Sequence, residues 1–435
     1  MPPTPDTTPS GVPAETPGAL EPSERTGPTE EPATEPEITP LTEPADGVPD
    51  VLTTGAELAR AVRQIAGGTG PVAVDAERAS GYRYGQRTYL VQLRRAGAGT
   101  ILIDPVPLPD LSTLSDALDG VEWVLHAASQ DLPGLAEQNL RASRVFDTEL
   151  GARLLGLDRV GLAAVVAELL GLGLAKEHSA VDWSTRPLPA EWLRYAALDV
   201  EVLVELRDVM AQRLEAAGKL EWAEQEFEAV RLLPPPLPRV DPWRKVSGAH
   251  ALRDRRMLAV VRELWLARDR LGQSRDIAPG RVLPDRAIIA AATALPRSVG
   301  ELTRVHAFGG PATRRRAALW QRAIDTALAL PEDQLPDTRG PRTDAPPAPK
   351  VWADRDPDAA ARLGVARAGV ARLSQEHSVP VENILQPDLL RRVCWRPPAG
   401  STLAAVEERL RQGGAREWQI ELTAPIFVDA LSTHA

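Results

Sequence analysis

Asp75 and Glu77 stand two residues apart in the run PVAVDAE, and Tyr195 and Asp199 stand four apart in WLRYAALDV. A further acid, Asp131, lies in WVLHAASQDLPGL. Four carboxylates and a phenol can hold two hard divalent cations and hydrolyse a phosphodiester between them. Oxygen ligands of this kind favour Mg²⁺ or Mn²⁺ over zinc. The implied chemistry is that of a metal-dependent nuclease.

Spacing puts these groups where such chemistry needs them. Alternate side chains on a strand share a face, so Asp75 and Glu77 project together while Ala76 turns away. Val72 and Val74 make that strand apolar, a costly setting for two carboxylates unless cations neutralise them. Residues four apart on a helix share a face, which stacks Tyr195 on Asp199. Leu193, Ala196, Leu198 and Val200 surround that pair with apolar side chains. Asp131, near a helix start, would complete the ring.

The elements that must position them follow an α/β order. Apolar residues at helical spacing predict a helix over 55–67, and PVAVDAE, TYLVQLRR, GTILIDPV and VEWVLH read as strands. Further helices are expected over 114–120, 129–140, 146–156, 162–171 and, following Pro189, 190–218. This order suits a mixed sheet flanked by helices.

Composition divides the chain of 435 residues into five parts, within the usual allowance of about 100–200 residues per domain. Residues 1–50 carry 13 prolines and 11 acidic residues against one arginine, so they are expected to be a disordered acidic tail. Residues 51–232 form the α/β domain. The Pro-rich run LLPPPLPRV reads as a semi-rigid spacer. Residues 241–330 are helical, 331–350 are a Pro-rich linker, and 351–435 are again helical. Residues 239–330 hold 18 basic and 8 acidic side chains, whereas the total charge is −10. A polyanion would be held there. Arg253, Arg255 and Arg256 cluster at one helix and Arg314, Arg315 and Arg316 at another, as nucleic-acid contacts.

One cysteine, Cys394, excludes an intramolecular disulfide and suits a cytoplasmic setting; its apolar surroundings make it an inert core residue. No apolar run is long enough to span a bilayer, and no G-x-x-x-x-G-K-[ST] loop is present, so neither a membrane nor ATP is expected as a partner.

In this order, the motifs resemble the ribonuclease D family, in the tyrosine-containing branch of the DEDD 3′→5′ exonuclease superfamily. FDTELGARLLG, SAVDWSTRPLPAEWLRYAALDVEVL and GKLEWAEQE carry the resemblance beyond the four acids and the phenol. It implies an RNase H-like mixed sheet and a 3′→5′ exonuclease site. It also implies an HRDC module over 241–330 and a second, divergent copy over 351–435. By the same resemblance Asp75 bridges two ions lying about 3.5–4 Å apart, Glu77 and Asp199 hold the one that activates water, and Asp131 supports the other. Tyr195, with an ordinary pKa near 10, orients the water rather than deprotonating it.

The implied activity releases nucleoside 5′-monophosphates from RNA 3′ ends, with tRNA precursors or other structured RNA 3′ ends as substrates. Arg83, Gln86, Arg87 and His126 are candidate substrate contacts. Trp183 is a candidate base-stacking platform, and Lys176 has an open role. Two other readings stay open: a DNA exonuclease of repair acting on single strands, and a non-catalytic RNA-binding protein on a nuclease fold. The five intact site residues count against the second.

Overall fold

The computed structural model describes residues 38–433, except Lys176, Glu177, Ser179, Pro236, Gly309, residues 341–343 and Ser401. Lys176 and the acidic run up to residue 37 therefore lie outside the described residues.

Residues 38–50, expected to be part of a disordered tail, are ordered. Strand β1 (Thr39–Leu41) pairs in parallel with β8 (Leu172–Leu174), with Thr39 opposite Leu172. Beyond it Asp46 pairs with Arg94 at 2.8 Å and Glu43 with Arg194 at 3.2 Å. Backbone pairing and these ion pairs order a stretch whose proline content argued for disorder.

Six strands form the main sheet: β2 (Val51–Leu52), β3 (Thr69–Arg78), β4 (Thr88–Ala96), β5 (Gly99–Ile103), β6 (Glu122–Leu125) and β7 (Arg144–Asp147). Their order is β2-β5-β4-β3-β6-β7. The β3–β4 and β4–β5 pairs are antiparallel and the others parallel, which is the mixed sheet expected. Helix α1 (Gly55–Ala66) starts on a capping box in which Thr54 and Glu57 satisfy each other's backbone N–H, and it buries Leu58, Ala61 and Ile65. Then come α2 (Ser112–Ala117), α3 (Leu132–Glu137), α4 (Thr148–Leu154), α5 (Leu162–Leu170), α6 (Ala190–Glu201), α7 (Leu203–Ala216) and α8 (Leu220–Arg231). Two expected helices begin late. Phe146 and Asp147 end strand β7 before α4, and Asp131 stands just before an α3 shorter than expected, its side chain making no capping bond. The expected helix over 190–218 is interrupted at Val202.

Leu232, Leu233, Leu237 and Val240 are exposed, as a spacer requires. Two helical modules follow. The first opens on α9 (Arg255–Arg275) and continues through α10 (Pro279–Val282), α11 (Asp285–Ala294), α12 (Val299–Arg304), α13 (Pro311–Arg315) and α14 (Ala317–Ala329). The second runs from α15 (Trp352–Arg355) and α16 (Pro357–His377) through α17 (Val381–Ile384), α18 (Pro387–Trp395) and α19 (Leu403–Gln412) to α20 (Glu417–Thr433). Helices α9 and α16 each have 21 residues and each end on a left-handed residue, Asp276 and Ser378, before a four-residue helix. The second module shares a core with the α/β domain. Lys219 donates to Leu154 O and His377 O, and Glu226 holds both Arg416 and the Trp418 indole. Cys394 is buried there, its thiol pushed up to about 12 by burial. Among the described residues no helix is long and apolar enough to cross a membrane.

Candidate active site

Strand β3 runs between β4 and β6 with Asp75 opposite Gln92 and Glu77 opposite Leu90. Helix α6 packs on β3 and brings Tyr195 and Asp199 to the same place. Oxygens of Asp75, Glu77 and Asp199 lie within 4.8 Å of one another. Asp131 stands outside that group of three, on the loop after β6, the strand beside β3, and is near enough for its charge to act on Glu77 and that of Asp75 to act on it. Arg78 links the two parts, its guanidinium 3.8 Å from the Asp131 carboxylate.

The Asp131 loop is held by a residue that the sequence placed among family context. Asp147, fully buried, accepts N–H bonds from Ala127 (3.1 Å), Ala128 (2.8 Å), Glu149 (2.9 Å) and Leu150 (3.2 Å). It thereby caps α4 and fixes the turn in which Ala127 takes a left-handed conformation (φ 61°). Burial nevertheless holds its carboxyl up at about 6.

Electrostatics mark the cluster as incomplete without cations. Burial raises Asp75, and burial plus the Asp75 charge raises Glu77, Asp131 and Asp199 well above the usual carboxylate range. Among the described residues, Arg78 is the positive charge near Asp75, Glu77 and Asp131. Burial and the charges of Asp199 and Glu77 push the Tyr195 phenol far above its ordinary value, so it stays protonated at neutral pH. Buried, converging carboxylate oxygens with too little positive charge are a donor set that fits hard divalent cations.

A family model described as 3′-5′ exonuclease matches residues 49–215, one described as HRDC domain matches 257–324, and one described as 3′ to 5′ exonuclease C-terminal domain matches 345–431. A ribonuclease D from Acidiphilium cryptum is 31% identical over 288 residues, covering 64% of this chain and 72% of that protein. The chain belongs to the ribonuclease D family. It is a 3′→5′ exoribonuclease. The crystal structure of Escherichia coli RNase D, described as an exoribonuclease involved in structured RNA processing, superimposes with a TM-score of 0.64 at 25% identity. It covers 88% of this chain and 99% of that one. A crystal structure of a protein from Bifidobacterium adolescentis gives a TM-score of 0.84 at 39% identity, over 91% of this chain and 100% of that one.

Within this ribonuclease D fold, the other expected contacts divide. Trp183 is fully buried beside Trp192 (5.5 Å) and Tyr195 (6.4 Å), so it packs the α6 approach and offers no face to a base. His126 is held at 2.9 Å from the Thr148 hydroxyl, and burial keeps it neutral with a pKa lowered to about 4; it is a strut, not a substrate contact. Arg83 donates to Ser184, Gln86 accepts from Ser80, and Arg87 donates to Val106 O; of these three, Gln86 and Arg87 are exposed.

In the HRDC module Arg255 donates to Leu335 O and Pro336 O, and Arg256 donates to Ala327 O, Leu328 O and Leu330 O. Arg256 holds the C-terminus of α14 and Arg255 the start of the expected linker, where Leu335 is buried, so they are structural rather than nucleic-acid contacts. Arg253 turns back on His250 O and Leu252 O. Arg314 and Arg315 are exposed and Arg316 is partly so.

Three residues escaped the sequence reading. Arg78, directly after the acidic pair, was visible as a lone cation among acids. Gln92 is completely buried, with neither amide atom hydrogen-bonded, opposite Asp75. Arg159 lines a cavity of about 410 Å³ together with Tyr195 and Asp199; it lies in a loop whose sequence has no periodic signal.

Proposed function

We propose that this exoribonuclease removes nucleotides one at a time from structured RNA 3′ ends, tRNA precursors first among them, at a two-metal site held by Asp75, Glu77, Asp131 and Asp199. The observation that carries this reading is the convergence of the Asp75, Glu77 and Asp199 oxygens within 4.8 Å. Bound Mg²⁺ or Mn²⁺ would supply Lewis-acid activation of water and neutralise charge on the scissile phosphate. Asp75, at the centre of the strand, faces every other acid of the cluster and is the natural shared ligand. Asp131 comes from the loop after β6, with Arg78 restraining its charge. Tyr195 keeps its proton and directs its O–H, so its contribution is to orient the attacking water and not to accept a proton.

Tyr195→Phe is therefore expected to lower kcat by about 10–100-fold with little change in KM. The pH profile should keep its shape, since the phenol does not titrate in the working range; a lost alkaline or acidic limb would make Tyr195 an acid–base group. In the HRDC module, Arg314→Ala with Arg315→Ala should weaken RNA binding and reduce the salt slope by about 1.4, two single-strand phosphate contacts' worth. An unchanged slope would leave those arginines as solvated surface.

The substrate reading is tested with a 5′-labelled tRNA carrying a 3′ trailer, beside a single-stranded DNA of matched length. Trimming that stops at the mature 3′ end, faster than DNA loss, supports it. Preferential loss of the DNA would transfer the site to repair.

A further inference from the structure

The loop over residues 79–87, which leaves the strand of Asp75 and Glu77, is gripped from two sides. On one side is the HRDC module. Tyr84 donates its O–H to Asp269 Oδ1 at 2.9 Å and its backbone N–H to Asp276 Oδ1 at 3.1 Å. Its ring lies against Gly272, where a Cβ would meet Tyr84 Cδ2 at 3.0 Å. Arg281 Nε donates to Gly81 O at 2.6 Å, its guanidinium sits 4.0 Å from the centre of the Tyr82 ring, and the Ala278 N–H donates to Tyr82 O at 3.0 Å. On the other side is the segment that leads into α6. Arg83 Nε donates to Ser184 Oγ at 2.6 Å and Tyr82 O–H to Ala180 O at 3.4 Å. Trp183, next to Ser184, packs on Tyr195.

A module that only captures RNA needs a tether. This one instead bonds the backbone of the loop at three points, Gly81 O, Tyr82 O and the Tyr84 N–H. Ala79, where the loop starts two residues past Glu77, is buried. Arg83 stands in both grips, bonded to Ser184 and 3.9 Å from Asp276 of the HRDC module. A shift of α9 therefore has a short covalent and hydrogen-bonded route to both the Asp75/Glu77 strand and the Tyr195 helix. We propose that the HRDC module positions the catalytic centre through Tyr84, which is seated between Asp269 and Gly272, and so sets kcat as well as RNA capture. This rests on the reading of Asp75, Glu77, Tyr195 and Asp199 as the reacting site. Tyr84 and Gly272 are positioning residues.

The discriminating substrate is a trinucleotide, on which capture of RNA away from the site contributes least. Tyr84→Ala and Gly272→Val loosen the grip from opposite sides. Each is expected to lower kcat on the trinucleotide by about 10–100-fold, the loss expected when reacting groups are displaced by about 1 Å. KM for the trinucleotide should change little, and amide exchange across residues 79–87 should quicken. Tyr84→Phe, which keeps the ring, should retain most of the rate. If thermal melting shows either of the first two variants unfolded, Asp269→Ala reads the same contact through its hydroxyl bond alone, with a severalfold loss of kcat expected. Unchanged trinucleotide kcat in folded variants, or in Asp269→Ala as that fallback, with the wild type active, would overturn the proposal. An inactive wild type would instead defeat the reading of the site on which it rests.

Discussion

Asp75→Asn is expected to lower the single-turnover rate of RNA 3′-end shortening by about 1,000-fold or more, because a lost shared ligand removes several kcal/mol of charge stabilisation from the transition state. RNA affinity should hold, since the basic residues that would meet phosphates lie elsewhere. The same change should not harm the fold. Asp75 is a cause of the raised pKa of Glu77, Asp131 and Asp199, so removing its charge relieves repulsion among buried acids. In EDTA the variant should melt at or above the wild-type temperature. Full activity in Asp75→Asn would remove the two-metal assignment, and a large drop in melting temperature would make Asp75 a structural residue.

Metal and pH should act on stability together. The carboxyls of Glu77, Asp131 and Asp199 lie well above their ordinary values of 4.5, 3.8 and 3.8 in the folded chain. The folded chain thus keeps protons that the unfolded chain has lost. Their contribution to stability is full below the ordinary carboxylate range and is lost as pH rises through the raised values. His126 works in the opposite sense between its ordinary 6.5 and about 4, so the comparison belongs above that range. Without metal, the melting temperature should fall as pH rises above the range in which His126 titrates. Mn²⁺ should reverse the fall, by about 2.7 kcal/mol at one hundred times its Kd, and its effect should grow with pH because only deprotonated carboxylates bind it. A metal-free melting temperature that is flat above that range, with no shift on adding Mn²⁺, would contradict the reading of these acids as ligands.

What the sequence revealed follows from the range over which its signals act. Strand alternation put Asp75 and Glu77 on one face, and helical spacing did the same for Tyr195 and Asp199, because both are local properties of the backbone. The convergence of those pairs depends on α6 packing on β3, which the family resemblance supplied and periodicity could not. Tryptophan and arginine were harder to place. Trp183 could stack a base or fill a core, and only its neighbours Trp192 and Tyr195 decide between the two. Arg255 and Arg256 counted toward a basic patch, yet carbonyls some eighty and seventy residues away take up their hydrogen bonds. Strand β1 pairs with a partner 133 residues later in the chain, and Tyr84 bonds Asp276 across 192 residues. Long-range contacts of this kind leave no periodic trace, so the proline-rich composition around β1 pointed to disorder instead.

The central claim, that Asp75, Glu77, Asp131 and Asp199 form a divalent-metal centre, is tested most directly by counting bound Mn²⁺ by electron paramagnetic resonance in the full chain and in Asp75→Asn. Two ions per chain in the wild type, with at least one lost in the variant, is the expected result. Mn²⁺ binding that is absent from the wild type, or identical in both proteins, would contradict it.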